Sequence, residues 1–338
     1  MKRVIFCPAH NDGCALFRMF MTHLRYRDSM FVLPPPGKGI PASLLQCADV
    51  ALVQRQTTDV NVEASDIIKN CGLKYIYDLD DNIWHIPKYN NARDYFRRQL
   101  VGTEKCLMAA DHITVSTTHL ASIIHRKSKA KCPVTVIENA VDLCLFGRSR
   151  RKRNQGEVVI GWAGTNTHSL DLQFAASSIA AVMRKHDNVI LEVMGSAFPI
   201  DERYKQDLGL ERFRFRPWIN VEHWPAWCSN LPWDIAIAPL LITSFNASKS
   251  SVKMIESGAA GIPCVASGTQ EYVRFAGDDL LLSEHLICRS QSDWFDKLDV
   301  LVGSADLREE VGDAMFARVQ SRYNMEERID EWRKVFES

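Results

Sequence analysis

Short apolar runs rich in β-branched residues alternate with segments of helical periodicity along the whole chain. That alternation is the pattern of successive βαβ units and predicts parallel sheets. In the first half it predicts strands at Val4–Cys7, Val50–Gln54, Tyr75–Leu79, Ile113–Ser116 and Val134–Ile137, with helices between them, notably Tyr95–Ala110 and Thr118–Lys127. In the second half the predicted strands are Val158–Trp162, Val189–Met194, Phe213–Pro217, Ile235–Pro239, Cys264–Ala266 and Leu280–Leu282. Helices are predicted between these near Leu170–His186, Val221–Cys228 and Ser250–Ala260, and the tail from Ser292 onward reads as three helices without a strand.

The two strand series meet at a polar stretch, residues 147–156, that includes Arg148-Ser-Arg-Arg-Lys-Arg153. Such a charge run is read first as a solvated linker, with a nucleic-acid or acidic-surface patch as the alternative. At 338 residues the chain is too long for one ordinary core and suits two α/β domains of about 150 residues each. Lysine plus arginine equals aspartate plus glutamate, 41 each, so no global field draws the protein to a polyanion. Ten cysteines occur without a CxxC pair, and several, such as Cys7 and Cys264, sit inside apolar runs. Buried free thiols in a reducing compartment fit better than zinc or a disulfide framework. The first apolar run, Val4 to Cys7, is too short for a signal sequence, and no stretch approaches the roughly 18 apolar residues of a membrane span. A cytoplasmic protein without a transmembrane segment is expected.

The segment richest in chemistry begins at Trp233-Asp-Ile-Ala-Ile-Ala-Pro-Leu240, continues through a polar loop with Thr243, Ser244, Asn246 and Ser248, and ends in a helix stopped by Gly261 and Pro263. Ser248 or Ser250 is the expected N-cap. On that helix Lys249, Lys253 and Glu256 are spaced by four and three and would share one face, while Val252, Ile255 and Ala259 share the face turned to the sheet. Two ammonium groups beside a helix N-terminus make a diphosphate cradle. A carboxylate one or two turns deeper is placed to accept the two hydroxyls of a ribose. The plainer alternative is a surface Lys253–Glu256 pair, worth a few tenths of a kcal/mol. The position after the C-terminal end of a parallel strand, where open α/β sheets bind ligands, favours the nucleotide reading.

This block resembles the donor-binding block of retaining glycosyltransferases of the GT-B fold, in particular the glycosyltransferase family 4-like group. The family pattern K-x-x-E-x-x-A-x-G-x-P-V-V-A-S stands here as Lys253-Met-Ile-Glu256-Ser-Gly-Ala259-Ala-Gly261-Ile-Pro263-Cys-Val-Ala-Ser267. Val159-Ile-Gly161-Trp-Ala-Gly164-Thr165 is similar to the strand and glycine loop that open the family's C-terminal domain. Val136-Ile-Glu-Asn139-Ala-Val-Asp142 is similar to the I-x-N-G-V-D that closes its N-terminal domain, and Tyr77-Asp-Leu-Asp80-Asp81 and Val115-Ser-Thr117 look like N-domain elements. Two family features are absent. Ser248 stands where a sugar-contacting glutamate is common, and Thr165-Asn-Thr-His168 follows Gly164 where an arginine is common.

The resemblance implies an α/β protein of two Rossmann-like domains with parallel sheets facing a cleft. Residues 1–146 would form the acceptor-side domain, 147–156 the basic linker, 157–322 the nucleotide-sugar donor domain, and 323–338 a C-terminal helix that returns to the N-domain. It implies a hexosyltransferase-like enzyme that transfers a sugar from a nucleotide-sugar with retention. The nucleotide-sugar is a co-substrate, and no cofactor or metal is expected. The donor set comprises Gly13, Gly164, Thr165, Trp218, Asn246, Ser248, Lys249, Ser250, Lys253 and Glu256, and the catalytic candidates are His10, Asp80 and Asp81.

Several of these residues keep a second reading. Gly13 lets the backbone approach a phosphate or sugar, or simply makes a turn. Asp78-Leu-Asp80-Asp81 contains a D-x-D that would hold a divalent cation in a GT-A enzyme; an acceptor-facing acidic cluster or a structural turn are the alternatives. Trp218 and Trp224 would stack on a base or fill a core. Of His10, His85, His119 and His168, only His10 and His85 fall in loops that the resemblance turns to the cleft. The acceptor remains open among glycan, protein and nucleic acid, as do the donor's sugar and base and the oligomeric state. A glycosyltransferase acting on a nucleic-acid base and a non-catalytic sugar-nucleotide or glycan binder are the competing functions.

Overall fold

A computed structural model describes residues 1–34, 39–55, 57–148, 156–195 and 212–338. They divide into two compact units, one made of 1–142, 248–250 and 323–338, the other of 143–247 and 251–322. Most of the basic stretch, residues 149–155, lies outside the described residues. Among the described residues no helix is long and apolar enough to cross a membrane.

The first unit carries six parallel strands: β1 (Val4–Cys7), β2 (Ser29–Phe31), β3 (Val50–Gln54), β4 (Lys74–Leu79), β5 (His112–Val115) and β6 (Val134–Val136). Their order is β2-β1-β3-β4-β5-β6. The chain moves from β1 to one side and then crosses to the other, so the order reverses between β1 and β3. In open α/β sheets such a reversal is where ligands enter, at the carboxyl ends of the strands. Five of these strands were legible as β-branched runs; β2 is an addition, three residues with a partly exposed pattern.

The second unit is also a six-stranded parallel sheet, of β7 (Val158–Gly164), β8 (Val189–Gly195), β9 (Phe213–Pro217), β10 (Ile235–Ala238), β11 (Cys264–Ser267) and β12 (Ile287–Cys288), but in the order β12-β11-β10-β7-β8-β9, with three strands on each side of the reversal where the first sheet has two and four. Here the reversal falls between β7 and β10. The strand expected at Leu280–Leu282 is instead the start of a helix, Leu280–Leu286, because Asp279 caps it by accepting from the Leu282 amide at 3.1 Å. The tail holds the helices Gln291–Gly303, Ala305–Arg322 and Met325–Glu337, as the sequence pattern predicts.

The last of these helices belongs to the first unit. Its Ile329, Trp332, Val335 and Phe336 pack with Val4, Phe6, Met19, Tyr26, Val50, Leu52 and Ile76 in one core cluster. Val141 and Asn324 form a parallel bridge where the chain re-enters, and Arg328 pairs with Glu138 at 2.6 Å. Trp332 is 1% exposed, so the helix is a structural wall of this sheet. Trp332→Ala is expected to cost about 3–5 kcal/mol, the range for emptying a core aromatic site. Hydrogen exchange will read this as lost protection across β1 and β3 while the second sheet keeps its own. Loss confined to fraying of the helix would show that the wall is dispensable.

Candidate functional site

In the first unit, the carboxyl ends of the strands hold a dense charged network. Asp78, near the end of β4, is fully buried and pairs with Nη2 of the fully buried Arg18 at 2.7 Å. Nε of Arg18 donates to both Asp78 oxygens, and the Thr114 hydroxyl on β5 donates to Oδ2 at 2.7 Å. Arg18 Nη1 donates to the Ile137 carbonyl and to Asn139 Oδ1. The Asp78 carboxylate is thus engaged on both oxygens by protein donors, which disfavours it as a cation ligand. Among the described residues no group of three or more His, Cys, Asp and Glu is arranged to hold a metal ion.

Arg55 follows β3 with φ +43°, a left-handed conformation unusual for a residue with a side chain. Its guanidinium pairs with Asp12 at 2.6 Å and with Asp81 at 3.2 Å, fixing the reversal between β1 and β3. Burial holds the Asp80 carboxyl above its ordinary value; Arg18 opposes this and Asp81 adds to it. Asp80 and Asp81 therefore join one network, whereas His10 stands on the exposed loop after β1 and takes no part in it. A Cβ built at Gly13 meets nothing within 4 Å, so no contact inside the protein demands glycine there.

The short segment Ser248–Ser250 is counted with this first unit. Asn82 donates to Ser248 Oγ at 3.0 Å, Thr117 to the Ser248 carbonyl at 3.1 Å, and Asn139 to Ser250 Oγ at 2.8 Å. Lys249 Nζ pairs with Asp81 at 2.7 Å. Burial works against the Lys249 charge, but Asp81 outweighs it and the pKa stands above the ordinary lysine value. This corrects the expectation that Lys249, Lys253 and Glu256 share a helical face. The helix runs Val252–Ala259 with Ser251 at its N-cap, so neither Ser248 nor Ser250 caps it and Lys249 precedes it. Long-range polar contacts hold the segment outside the helix, with Ser248 closing a short 3-10 turn over Asn246–Ser248, where the spacing alone suggested another turn of α-helix.

The second unit builds its site differently. Gly164 and Gly195, the last residues of β7 and β8, face each other in register. Gly195 has φ +131°, and a Cβ there would stand 1.9 Å from the Gly164 carbonyl oxygen, so only glycine permits this approach. Thr165 follows, its hydroxyl 2.7 Å from that of Thr167. After β10, Asn246 is buried and spends its amide on Asp171 Oδ1 at 3.0 Å and the Leu241 carbonyl at 2.9 Å. It braces the loop. His168 also bonds Asp171, at 2.8 Å.

Helix Val252–Ala259 ends as its sequence signals: Gly261 has φ +69°, and the amides of Gly261 and Ile262 reach back to the carbonyls of Gly258 and Ser257. On its first turn Lys253 donates to the Ala163 carbonyl and lies over the Trp162 ring, with Nζ 5.7 Å from the centroid. One turn on, the Glu256 carboxylate accepts from the indole Nε1 of Trp224. Burial pushes the Glu256 pKa up to about 7; Lys253 and the Trp224 bond act in the opposite direction. Trp218 is 54% exposed beyond β9, which excludes a core role for it. The helix Val252–Ala259 thus offers one ammonium group and a carboxyl whose pKa is pushed up to about 7, the ends of β7 and β8 are lined with glycine, and an exposed indole stands beyond the edge strand β9.

Arg18 and Arg55 escaped the sequence reading. Arg18 had a signal, a lone charge in the apolar run Leu16-Phe-Arg-Met-Phe20, whereas the Arg55 conformation had none.

No family model matches the chain, and no curated protein matches it either. Solved structures do match, and they show the fold to be GT-B, with two Rossmann-like α/β domains. HepE from Anabaena, solved with UDP and glucose, superposes with a TM-score of 0.73 at 13% identity, with all of both chains covered. Sucrose-phosphate synthase from Thermosynechococcus elongatus gives 0.65 at 14% identity, covering 99% of this chain and 98% of the other. TarM gives 0.62 at 13% identity over 86% of this chain, which spans 55% of the TarM chain.

A raised carboxyl pKa makes stability depend on pH. The folded protein binds the Glu256 proton more tightly than the unfolded chain, so this residue's contribution is full below pH 4.5 and is lost as pH rises through about 7. Urea unfolding is therefore expected to show that Glu256→Gln removes part of the fall in stability between pH 5 and 8. Parallel pH profiles for the two proteins would show that the carboxyl is not held in this state.

Proposed function

We propose that the chain is a glycosyltransferase that takes a sugar from a nucleoside-diphosphate donor bound by its second unit. The observation that carries this reading is the helix Val252–Ala259, which follows β10 at the order reversal of the sheet and presents Lys253 and Glu256 on its first two turns. Lys253 and the helix N-terminus meet the diphosphate, Glu256 accepts the ribose hydroxyls, and the glycine-lined end of β7 at Gly164 and Thr165 admits the phosphates closely. Trp218 offers an aromatic face for the base. Support from outside the chain comes from the shared fold of HepE, whose structures contain UDP with glucose, and UDP-glucose.

The donor assignment rests on Lys253 and Glu256, because Lys249 is committed to Asp81. Transfer with retention would form a bond from the anomeric carbon to an acceptor oxygen as the bond from that carbon to the phosphate breaks. The acceptor proton passes to the departing phosphate oxygen, leaving a nucleoside diphosphate. The protein contributes orientation and charge stabilisation and supplies no nucleophile. Asp80 is the acidic group of the first unit offered to the acceptor, and Asp81, with both oxygens engaged by Arg55 and Lys249, holds that loop in place.

A non-catalytic sugar-nucleotide binder is the second reading, favoured by Ser248. That residue supplies no carboxylate and has its hydroxyl bonded to Asn82. Slow hydrolysis of the donor without added acceptor separates the two, since a binder leaves the donor intact.

Four outcomes are expected of the purified protein. UDP or another nucleoside diphosphate raises its melting temperature. Glu256→Gln weakens that ligand about tenfold or more, the worth of a hydrogen bond to a charged group. Lys253→Ala weakens the diphosphate far more than the free nucleoside. Equal loss for nucleoside and diphosphate would remove the phosphates from this helix. Turnover is also expected to survive EDTA; abolition by EDTA with rescue by manganese would overturn the metal-free assignment.

A further inference from the structure

The helix Trp224–Cys228 touches Glu256 twice. The indole N–H of Trp224 donates to carboxylate Oε1, and the Cys228 thiol donates to the Glu256 backbone carbonyl at 3.4 Å. Trp224 opens its helix with Pro225 next in the chain, which fixes the backbone where the indole projects. An indole nitrogen donates and never accepts, so it can bond only the acceptor form of the carboxyl oxygen it faces. This contact takes one acceptor position of Oε1, and the carboxylate keeps its others for a ligand. Burial works against the ionised form, and the indole bond opposes burial.

We propose that Trp224 is the positioning residue for nucleotide recognition: its indole N–H sets the Glu256 carboxylate in the orientation that accepts two neighbouring hydroxyl groups. Trp224 acts through Glu256 and need not touch the donor. The inference rests on the donor reading above and adds to it the element that makes a half-buried carboxylate selective for a ribose diol.

The test compares wild type, Trp224→Phe and Glu256→Gln, using UDP and 2′-deoxyuridine diphosphate as calorimetric probes. The ratio of the two affinities reports the hydroxyl contacts and is insensitive to a general loss of folded protein. In Trp224→Phe, UDP binding is expected to weaken about tenfold, as for one lost charge-assisted hydrogen bond, and the ratio to fall toward that of Glu256→Gln. Carbon NMR of the Glu256 carboxyl, without nucleotide, is expected to titrate at higher pH in Trp224→Phe than in wild type. A wild-type ratio and an unmoved titration in Trp224→Phe would overturn the positioning role. Loss of the ratio in Glu256→Gln but not in Trp224→Phe overturns that role alone. An unchanged ratio in both variants, or no binding of any common nucleoside diphosphate by wild type, overturns the donor reading itself.

Discussion

The guanidinium of Arg18 is wholly inside the first unit, and a buried guanidinium has to be met by protein on every side that water would otherwise serve. It is met by Asp78 from β4, by the Ile137 carbonyl and Asn139 from the segment after β6, and by the face of Trp332 in the C-terminal helix, 5.0 Å from ring centroid to guanidinium carbon. One side chain therefore ties the strand ends to the helix that closes the opposite end of the sequence. The network continues outward, because Asn139 donates onward to Asp80 and to Ser250. Removing either partner of the Arg18–Asp78 pair would leave a buried charge uncompensated, a far larger cost than the loss of a surface pair. The positions of Asp80, Asp81 and the Ser248–Ser250 segment all inherit their precision from that buried pair.

The second unit is also a six-stranded parallel sheet, but it opens the ends of β7 and β8 with glycines where the first unit fills its strand ends with charge. A Cβ at Gly161 would collide with the Trp233 ring, and one at Gly195 with the Gly164 backbone. The buried Glu192 on β8 meets Arg216 at 2.7 Å and the Trp233 indole at 2.8 Å through Oε1, while its Oε2 has no hydrogen-bond partner among the described residues. After β7 and β10, His168 and Asn246 both bond Asp171, while the helix Val252–Ala259 carries Lys253 and Glu256.

The architecture was legible because its signals are local. Val4–Cys7, Val50–Gln54 and Phe213–Pro217 are apolar or alternating runs with clear breaks, and the strands occupy those residues. The helix stop at Gly261 was equally legible, since a left-handed residue after a helix is a matter of local sterics. Failures came where neighbours distant in sequence decide. Lys249 was read onto the helix by its spacing from Lys253, yet its surroundings come from Asn82, Thr117 and Asp81, more than a hundred residues away. Leu280–Leu282 looked like a strand because three leucines carry no periodicity, and only the Asp279 cap separates the two outcomes. The K-x-x-E spacing proposes Glu256 as a ribose carboxylate, but its indole partner lies thirty-two residues earlier in the chain, on a different helix.

With Lys249 off the helix, the helix offers a diphosphate one ammonium group and the partial charge of its N-terminus, roughly half a unit. Glu256 stands on the next turn and repels any bare anion that approaches Lys253. On the donor reading, that repulsion is what confers selectivity. Inorganic pyrophosphate would gain Lys253 but would meet an uncovered carboxylate, whereas a nucleoside diphosphate brings ribose hydroxyls that bond it. The raised pKa of Glu256 shows that burial already outweighs the help of Lys253 and Trp224 in the free protein. A ligand that donates hydrogen bonds to this carboxylate relieves a cost present before it arrives, and one that cannot do so adds to that cost. On that donor reading the nucleoside contributes more than its own contacts, because it makes the phosphate site usable by an anion.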